Sequence, residues 1–274
     1  MTQPVVTQHT RRNSHYYTVS GDPSINDGAE LPGITSIVGA VIAKPWLTNW
    51  AINETLKAVD LVALEPNSNL LSLTSDAKVL ANKNMKSAAE VGTAIHEAIT
   101  KWLRLKYPPE VPTGQPADLV VDVDLLVAEY IDSLADDIKP QVHIGLASCR
   151  RFIEDNLLKS SVIWATEMPV YSPDGFGGTI DCIMSSSKGL TIVDWKSGST
   201  IGADNVLQVA AYALALEYMI PKVQIRAVIV QLNKTGPAGY SAYTINRLPV
   251  WQNLFGSAHA LWKQIHNFKI TGDV

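Results

Sequence analysis

Cysteine is scarce in this 274-residue chain. Only Cys149 and Cys182 occur, too few to build a metal-thiolate cluster and suited to free thiols in a reducing, intracellular setting. Long apolar runs are missing as well. No stretch approaches the roughly 20 residues of a membrane span, and residues 1–20 are polar, with Arg11-Arg12 and no apolar signal segment. The expectation is a soluble, cytoplasmic protein with no membrane partner. Nor does positive charge dominate: 22 Lys and Arg against 26 Asp and Glu leave a net charge of -4, which argues against wholesale wrapping by nucleic acid. The deficit is local. Residues 118–137 hold seven acids, from Asp118 to Asp137, and no Lys or Arg, so the rest of the chain is net positive and compatible with a polyanionic partner. Internal repeats and low-complexity tracts are also absent.

What is present is an apolar fraction of 46%, ample for the interior of one large domain or a core with an added lobe. Residues 1–14 have little to bury and are expected to form a disordered tail, with a single domain over 15–274. Order begins at the β-rich run His15–Val19. Helical spacing runs from Ile34 to Leu61, with a second helix opening at Pro45 and carrying Trp46, Leu47 and Trp50. Another helix spans about Ser87–Leu105, with Ile95, Ile99, Trp102 and Leu103 inward. An acidic helix follows at roughly 122–138, and Pro140 starts one more, to about Lys159. Together, 15–160 read as a largely helical lobe plus the first core helix. Strands near 162–171, 177–185 and 190–196, a helix at 204–220 and strands near 223–232 and 239–245 make a catalytic sheet with a crossover helix. Pro249–Phe268 closes the chain as a helix. This order predicts an α/β fold, a mixed central sheet flanked by helices.

The richest segment is Gly178-Thr179-Ile180-Asp181-Cys182-Ile183-Met184, a polar turn, then Leu190-Thr191-Ile192-Val193-Asp194-Trp195-Lys196. As a hairpin turning at Ser187-Lys188, it sets Asp181 across from Asp194. Alternation then groups Asp181 and Ile183 with Leu190, Ile192, Asp194 and Lys196, and turns Ile180, Cys182, Val193 and Trp195 the other way. Facing carboxylates repel. A cation between them accounts for both, and hard oxygen ligands suit Mg²⁺ or Mn²⁺. In metal-assisted phosphodiester hydrolysis the carboxylates position the ion, while the Lys196 ammonium orients water or stabilises developing charge. A plainer alternative uses the same residues: Asp194 and Lys196 as a surface ion pair and Asp181 as a turn cap. Gly177-Gly178 before the acids and Ser197-Gly198 after the lysine favour an accessible site.

Four further positions are candidates by spacing. His96 follows Gly92 by one helical turn and could be an imidazole ligand, although a solitary His on a half-apolar helix is more often a packing residue. Thr at position 100 rules out an H-E-x-x-H zinc motif. Glu167, on the preceding strand, could support the site or be an edge charge beside Pro169. Gln208 and Tyr212 share a helix face and could contact a phosphate or brace the lysine, or form a hydrogen-bonded pair at the core rim.

Taken together, Gly92 and His96, Glu167, Gly178-Thr179-Ile180-Asp181, Asp194-Trp195-Lys196-Ser197-Gly198, and Gln208 with Tyr212 closely resemble the PD-(D/E)XK nuclease superfamily, in its RecB-type branch. Residues 31–37 and 45–51 resemble the N-terminal region of mitochondrial genome maintenance exonucleases and their phage relatives. The resemblance implies a restriction-endonuclease-like core, metal ligands at His96, Asp181 and Asp194, a catalytic Lys196, and a downstream helix motif at Gln208 and Tyr212. It further implies Mg²⁺ or Mn²⁺ as cofactor, with no iron-sulfur cluster because the thiols for one are missing. DNA is the implied partner, single-stranded or with ends, alongside replication or recombination proteins. An exonuclease is the expected activity. A structure-specific or restriction-like endonuclease is the rival within the superfamily, and a non-catalytic DNA-binding module the rival outside it. Nucleic-acid contacts are expected from Arg11, Arg12, Lys44, Trp46, Lys101, Arg104 and Lys234, with the acidic helix facing away.

Overall fold

The computed structural model describes residues 4–11, 14–42, 52–57, 59, 70–108, 122–157 and 161–267. The helix expected at Pro45, with Trp46, Leu47 and Trp50, lies outside these residues, as do Arg12 and Lys44. In chain order the described elements begin with β1 (Val5–Arg11), β2 (Ser14–Ser20), β3 (Glu30–Pro32), α1 (Ile34–Val41), α2 (Leu70–Lys106), α3 (Val123–Asp132) and α4 (Lys139–Leu157). There follow β4 (Val162–Ser172), β5 (Phe176–Ser186), β6 (Gly189–Lys196), α5 (Ala203–Met219), β7 (Ile225–Leu232), β8 (Tyr240–Thr244) and α6 (Leu248–Asn267).

The larger sheet has the order β4-β5-β6-β7-β8. Strands β4 to β6 form an antiparallel meander, β6 runs parallel to β7, and β8 returns antiparallel. A parallel pair needs a long crossover, which α5 supplies. The β5–β6 turn falls on Ser187-Lys188 as expected, with Ser186 opposite Gly189. Apolar residues alternate along these strands, so each face of the sheet builds its own core. One core joins Ile183, Leu190, Ile192 and Ile229 to α1, α5 and α6. The other joins Cys182, Val193, Trp195 and Val230 to α2, α3 and α4, with Phe152 edge-on to Trp195 at 5.5 Å. The result is three layers, with helices on both sides of a mixed sheet. Small residues carry α5 close to the strands, since Ala210, Ala211, Ala213 and Ala215 are all fully buried there.

Several expectations need correction. Residues 5–11, placed in a disordered tail by composition, form β1, paired residue by residue with β2. The partners that order this strand are distant in sequence: Gln8 Oε1 accepts from Thr179 Oγ1 at 2.7 Å, and Tyr17 meets the same hydroxyl at 3.1 Å. α2 starts at Leu70, well before Ser87. The acidic helix ends at Asp132, where Ser133 turns its hydroxyl onto Tyr130 O at 2.6 Å. Ile180 packs with Ile183, Leu190 and Ile192, not with Cys182, Val193 and Trp195. The alternation breaks at Asp181, which lies opposite Glu167 in the β4–β5 register, where the Glu167 backbone is left-handed with φ of 48°.

The small sheet β1-β2-β3 is fastened to the large one by a Gly33–Gly177 bridge and by Asp22. Asp22 accepts hydrogen bonds from Ser24 N at 2.8 Å, Tyr171 at 2.5 Å and Tyr218 at 2.9 Å. These donors, Ser24 foremost, hold its carboxyl well below the usual carboxylate range.

Candidate active site

Strand β6 ends in the central pair. Asp194 is 1% exposed, and Lys196 Nζ lies 2.7 Å from its Oδ2. Lys196 also donates to Gln208 Oε1 at 3.4 Å, and Gln208 Nε2 donates to Tyr212 at 2.7 Å. One helical turn on α5 thus braces the lysine through two side chains, as i and i+4 neighbours can. Tyr212 in turn needs Gly178: a Cβ there would stand 2.5 Å from the Tyr212 ring and 2.8 Å from Ile34. At Gly177 a Cβ would stand 2.7 Å from the Tyr17 ring. The two glycines therefore admit aromatic rings, one on each side of β5.

Asp181 reaches the same place from β5. Its register partner lies one step beyond the Cys182–Val193 pair, opposite Asp194. Its Oδ2 accepts from Trp195 N at 2.9 Å and lies 3.6 Å from His96 Nδ1. His96 is delivered by α2, which approaches closely at Gly92, where a Cβ would be 3.3 Å from Ser197 Oγ in the turn after Lys196. Glu167 sits beside them, half-buried, accepting from Thr100 Oγ1 at 3.0 Å. The structure thus gathers Asp181, Asp194, Lys196, His96, Glu167, Gln208 and Tyr212 into one neighbourhood. Thr100 and Gln8 escaped the sequence reading. Thr100 had a signal, since it lies one turn past His96; Gln8 had none.

The electrostatics are those of an anion-rich site with a single ammonium. Burial pushes the Asp194 carboxyl up to about 6 against the pull of Lys196, and Asp181 adds to the rise. Burial and then Asp181 also raise Glu167. Burial works against the Lys196 ammonium, yet Asp194 and Asp181 outweigh it and keep the group above its ordinary value. Asp194 Oδ1 is buried without a hydrogen-bond partner, a costly state unless something positive joins it. Among the described residues no group of three or more His, Cys, Asp or Glu side chains is set to hold a metal ion by itself. The available donors, two carboxylates and an imidazole on neighbouring elements, fit a hard divalent ion that completes its shell with water and substrate oxygens. The carboxylates would hold such an ion, with His96 beside Asp181.

In front of these groups opens a cleft of about 1140 Å³, lined by His96, Glu167, Asp181 and Gln8 and, on the same wall of α2, by Lys101 and Arg104. Asp194 and Lys196 are not part of this lining; they adjoin it through Asp181, whose Oδ2 accepts from Trp195 N between them. From the acidic helix α3 only Leu126 reaches it, while Asp124 is turned to Arg150 at 2.7 Å.

A family model described as the PD-(D/E)XK nuclease superfamily matches residues 70–273, which span the lysine, both acids and the crossover helix. The chain belongs to the PD-(D/E)XK nuclease superfamily. No curated protein matches it. A solved structure titled "Crystal structure of SSO0001" is 12% identical, covers 61% of this chain and 74% of its own, and superposes with a TM-score of 0.26. So distant a superposition carries no argument. PD-(D/E)XK nucleases hydrolyse nucleic acid and generally use divalent metals such as Mg²⁺. Among the described residues no helix is long and apolar enough to cross a membrane.

Proposed function

We propose that this PD-(D/E)XK nuclease is a Mg²⁺- or Mn²⁺-dependent deoxyribonuclease that works as an exonuclease on single strands or duplex ends. The observation that carries the reading is the Lys196 ammonium held between Asp194 and Gln208, at 2.7 and 3.4 Å, beside a cleft that presents Asp181 and His96. Each group has a task. Asp181, Asp194 and His96 would hold the ion, which would supply Lewis-acid polarisation of a phosphoryl oxygen and a more acidic water. Lys196 orients the attacking water and stabilises charge developing on the phosphoryl oxygens. Gln208 and Tyr212 fix the lysine, and Thr100 fixes Glu167 beside the carboxylates. Lys101 and Arg104 take the phosphate backbone, the sequence-independent part of binding. The cleft runs between α2 and the β1–β2 hairpin, a walled path that suits a strand with an end.

The test is digestion of linear single-stranded DNA labelled at its 5′ or 3′ end, beside covalently closed single-stranded circles, with and without Mg²⁺. Ion-dependent loss of the linear strand with the circles intact is expected. Rapid cutting of the circles assigns the chain to the endonucleases of the superfamily, and no cutting of either removes the catalytic reading.

A further inference from the structure

A second crevice, of about 520 Å³, lies beyond the Ser197–Gly202 turn from the cleft. Its position follows from the ladder. Lys196 pairs with Gln231 and Asp194 with Ile229 across the parallel β6–β7 junction, and Ile229 and Gln231 pair in turn with Tyr243 and Ser241 of β8. Neighbouring strands are ~4.8 Å apart. Gln231 therefore stands one strand from the lysine, and Tyr243 shares a transverse row with Asp194. Gln231, Tyr243 and Trp251 line this crevice, together with Thr200 and Asn246.

Its chemistry differs from that of the cleft. The cleft offers Lys101, Arg104 and His96, whereas no residue lining the crevice is charged. A phosphate finds no counter-charge there. A flat neutral group with polar edges finds an aromatic ring, an indole and two amides. Tyr243 is 45% exposed, and its hydroxyl donates to Gln231 Oε1 at 3.2 Å while Gln231 Nε2 donates to Gly198 O at 2.8 Å. This relay holds the ring from its rim, leaving ring surface free, and ties it to the turn that follows Lys196.

We propose that the crevice seats the base of a nucleotide neighbouring the scissile phosphate, stacked on Tyr243. The proposal rests on the nuclease reading for its substrate class. It makes the site two-sided: phosphates lie along the cationic wall of the cleft, and the strand crosses the ends of β6 and β7 to place a base on β8. Base–aromatic stacking is tolerant of sequence and strong enough to set the register of a strand.

The experiment compares a single-stranded thymidine oligomer with an abasic strand of equal length, bound to the Lys196→Ala protein so that neither is consumed. Adding Tyr243→Ala is expected to weaken binding of the thymidine oligomer roughly 5- to 150-fold and to leave the abasic strand unchanged. Tyr243→Phe, which keeps the ring and loses the hydroxyl, is expected to bind the thymidine oligomer within a few-fold of the parent. Equal weakening of both strands by Tyr243→Ala, or of neither, overturns the proposal. Cleavage of the thymidine oligomer by the unaltered chain with Mg²⁺ is scored separately. Its absence removes the nuclease reading, whereas cleavage alongside an unresponsive Tyr243→Ala removes only the crevice.

Discussion

The Lys196 ammonium and the Asp194 carboxylate are 2.7 Å apart, at the end of a strand whose carboxylate is 1% exposed. A buried pair of this kind is a poor source of net stability, because both ions are taken out of water to form it. In the proposed mechanism, its position between a metal-suited carboxylate and the Gln208 brace is what gives it a use.

Lys196→Ala is expected to cut single-turnover DNA cleavage about 10²- to 10³-fold while binding changes only a few-fold. Lys196→Arg is expected to do little better, since a planar fork does not replace a compact ammonium in a slot sized for one. Cleavage by the alanine variant at the unaltered rate removes the lysine from the mechanism.

Asp181→Asn separates stability from activity. The amide oxygen can still accept from Trp195 N, while the charge that raises both Asp194 and Glu167 is gone. In metal-free protein the melting temperature is expected to rise by about 2–4 °C, the shift for ~1 kcal/mol in a domain of this size. Calorimetric Mn²⁺ binding is expected to weaken at the same time. Undiminished Mn²⁺ affinity contradicts the assignment of Asp181 as a ligand.

Asp194 also sets a pH dependence. Its carboxyl is raised from 3.8 to about 6, so between those values the folded chain holds more protons than the unfolded one. That contribution is complete below the unfolded value and is lost as pH rises through 6. His259, which burial lowers to about 4, titrates in the opposite sense over part of this range. The measurement is therefore the stability difference between the native chain and Asp194→Asn, both metal-free. The native chain is expected to gain about 1 kcal/mol on the variant between pH 7 and pH 5. A difference that stays flat over that interval contradicts the buried, raised carboxyl.

Gly178→Ala probes the brace from behind. The new methyl group overlaps the Tyr212 ring, and overpacking of this sort costs about 1–3 kcal/mol. A lower melting temperature and a reduced kcat with KM little changed are expected, because Tyr212 holds Gln208 and Gln208 holds the lysine. An unchanged kcat means the brace is not needed for catalysis.

Much of the large sheet was legible because its signals are local. The hairpin turn at Ser187-Lys188, the alternation along β6 and the crossover helix each follow from residues within a few positions of one another, and Asp181, Asp194 and Lys196 came with them. His96 is a different case: its spacing after Gly92 made it a candidate, but one helical histidine reads more readily as packing, and only the resemblance made it an expected ligand. What stayed hidden depended on distant partners. Val5–Arg11 is a strand because β2 and Thr179 meet it, which composition does not register. Ile180 joins the other face because the alternation breaks at Asp181, opposite the positive-φ Glu167, and no pattern of apolar spacing encodes that break.

The attachment of Gln8 to Thr179 spans 171 positions, and contacts so remote in the chain are the slow ones to form. During synthesis the first strand must wait, paired at most with its own hairpin, until Thr179 has been made. The hairpin that walls one side of the cleft therefore docks only once the strand carrying Asp181 has been made.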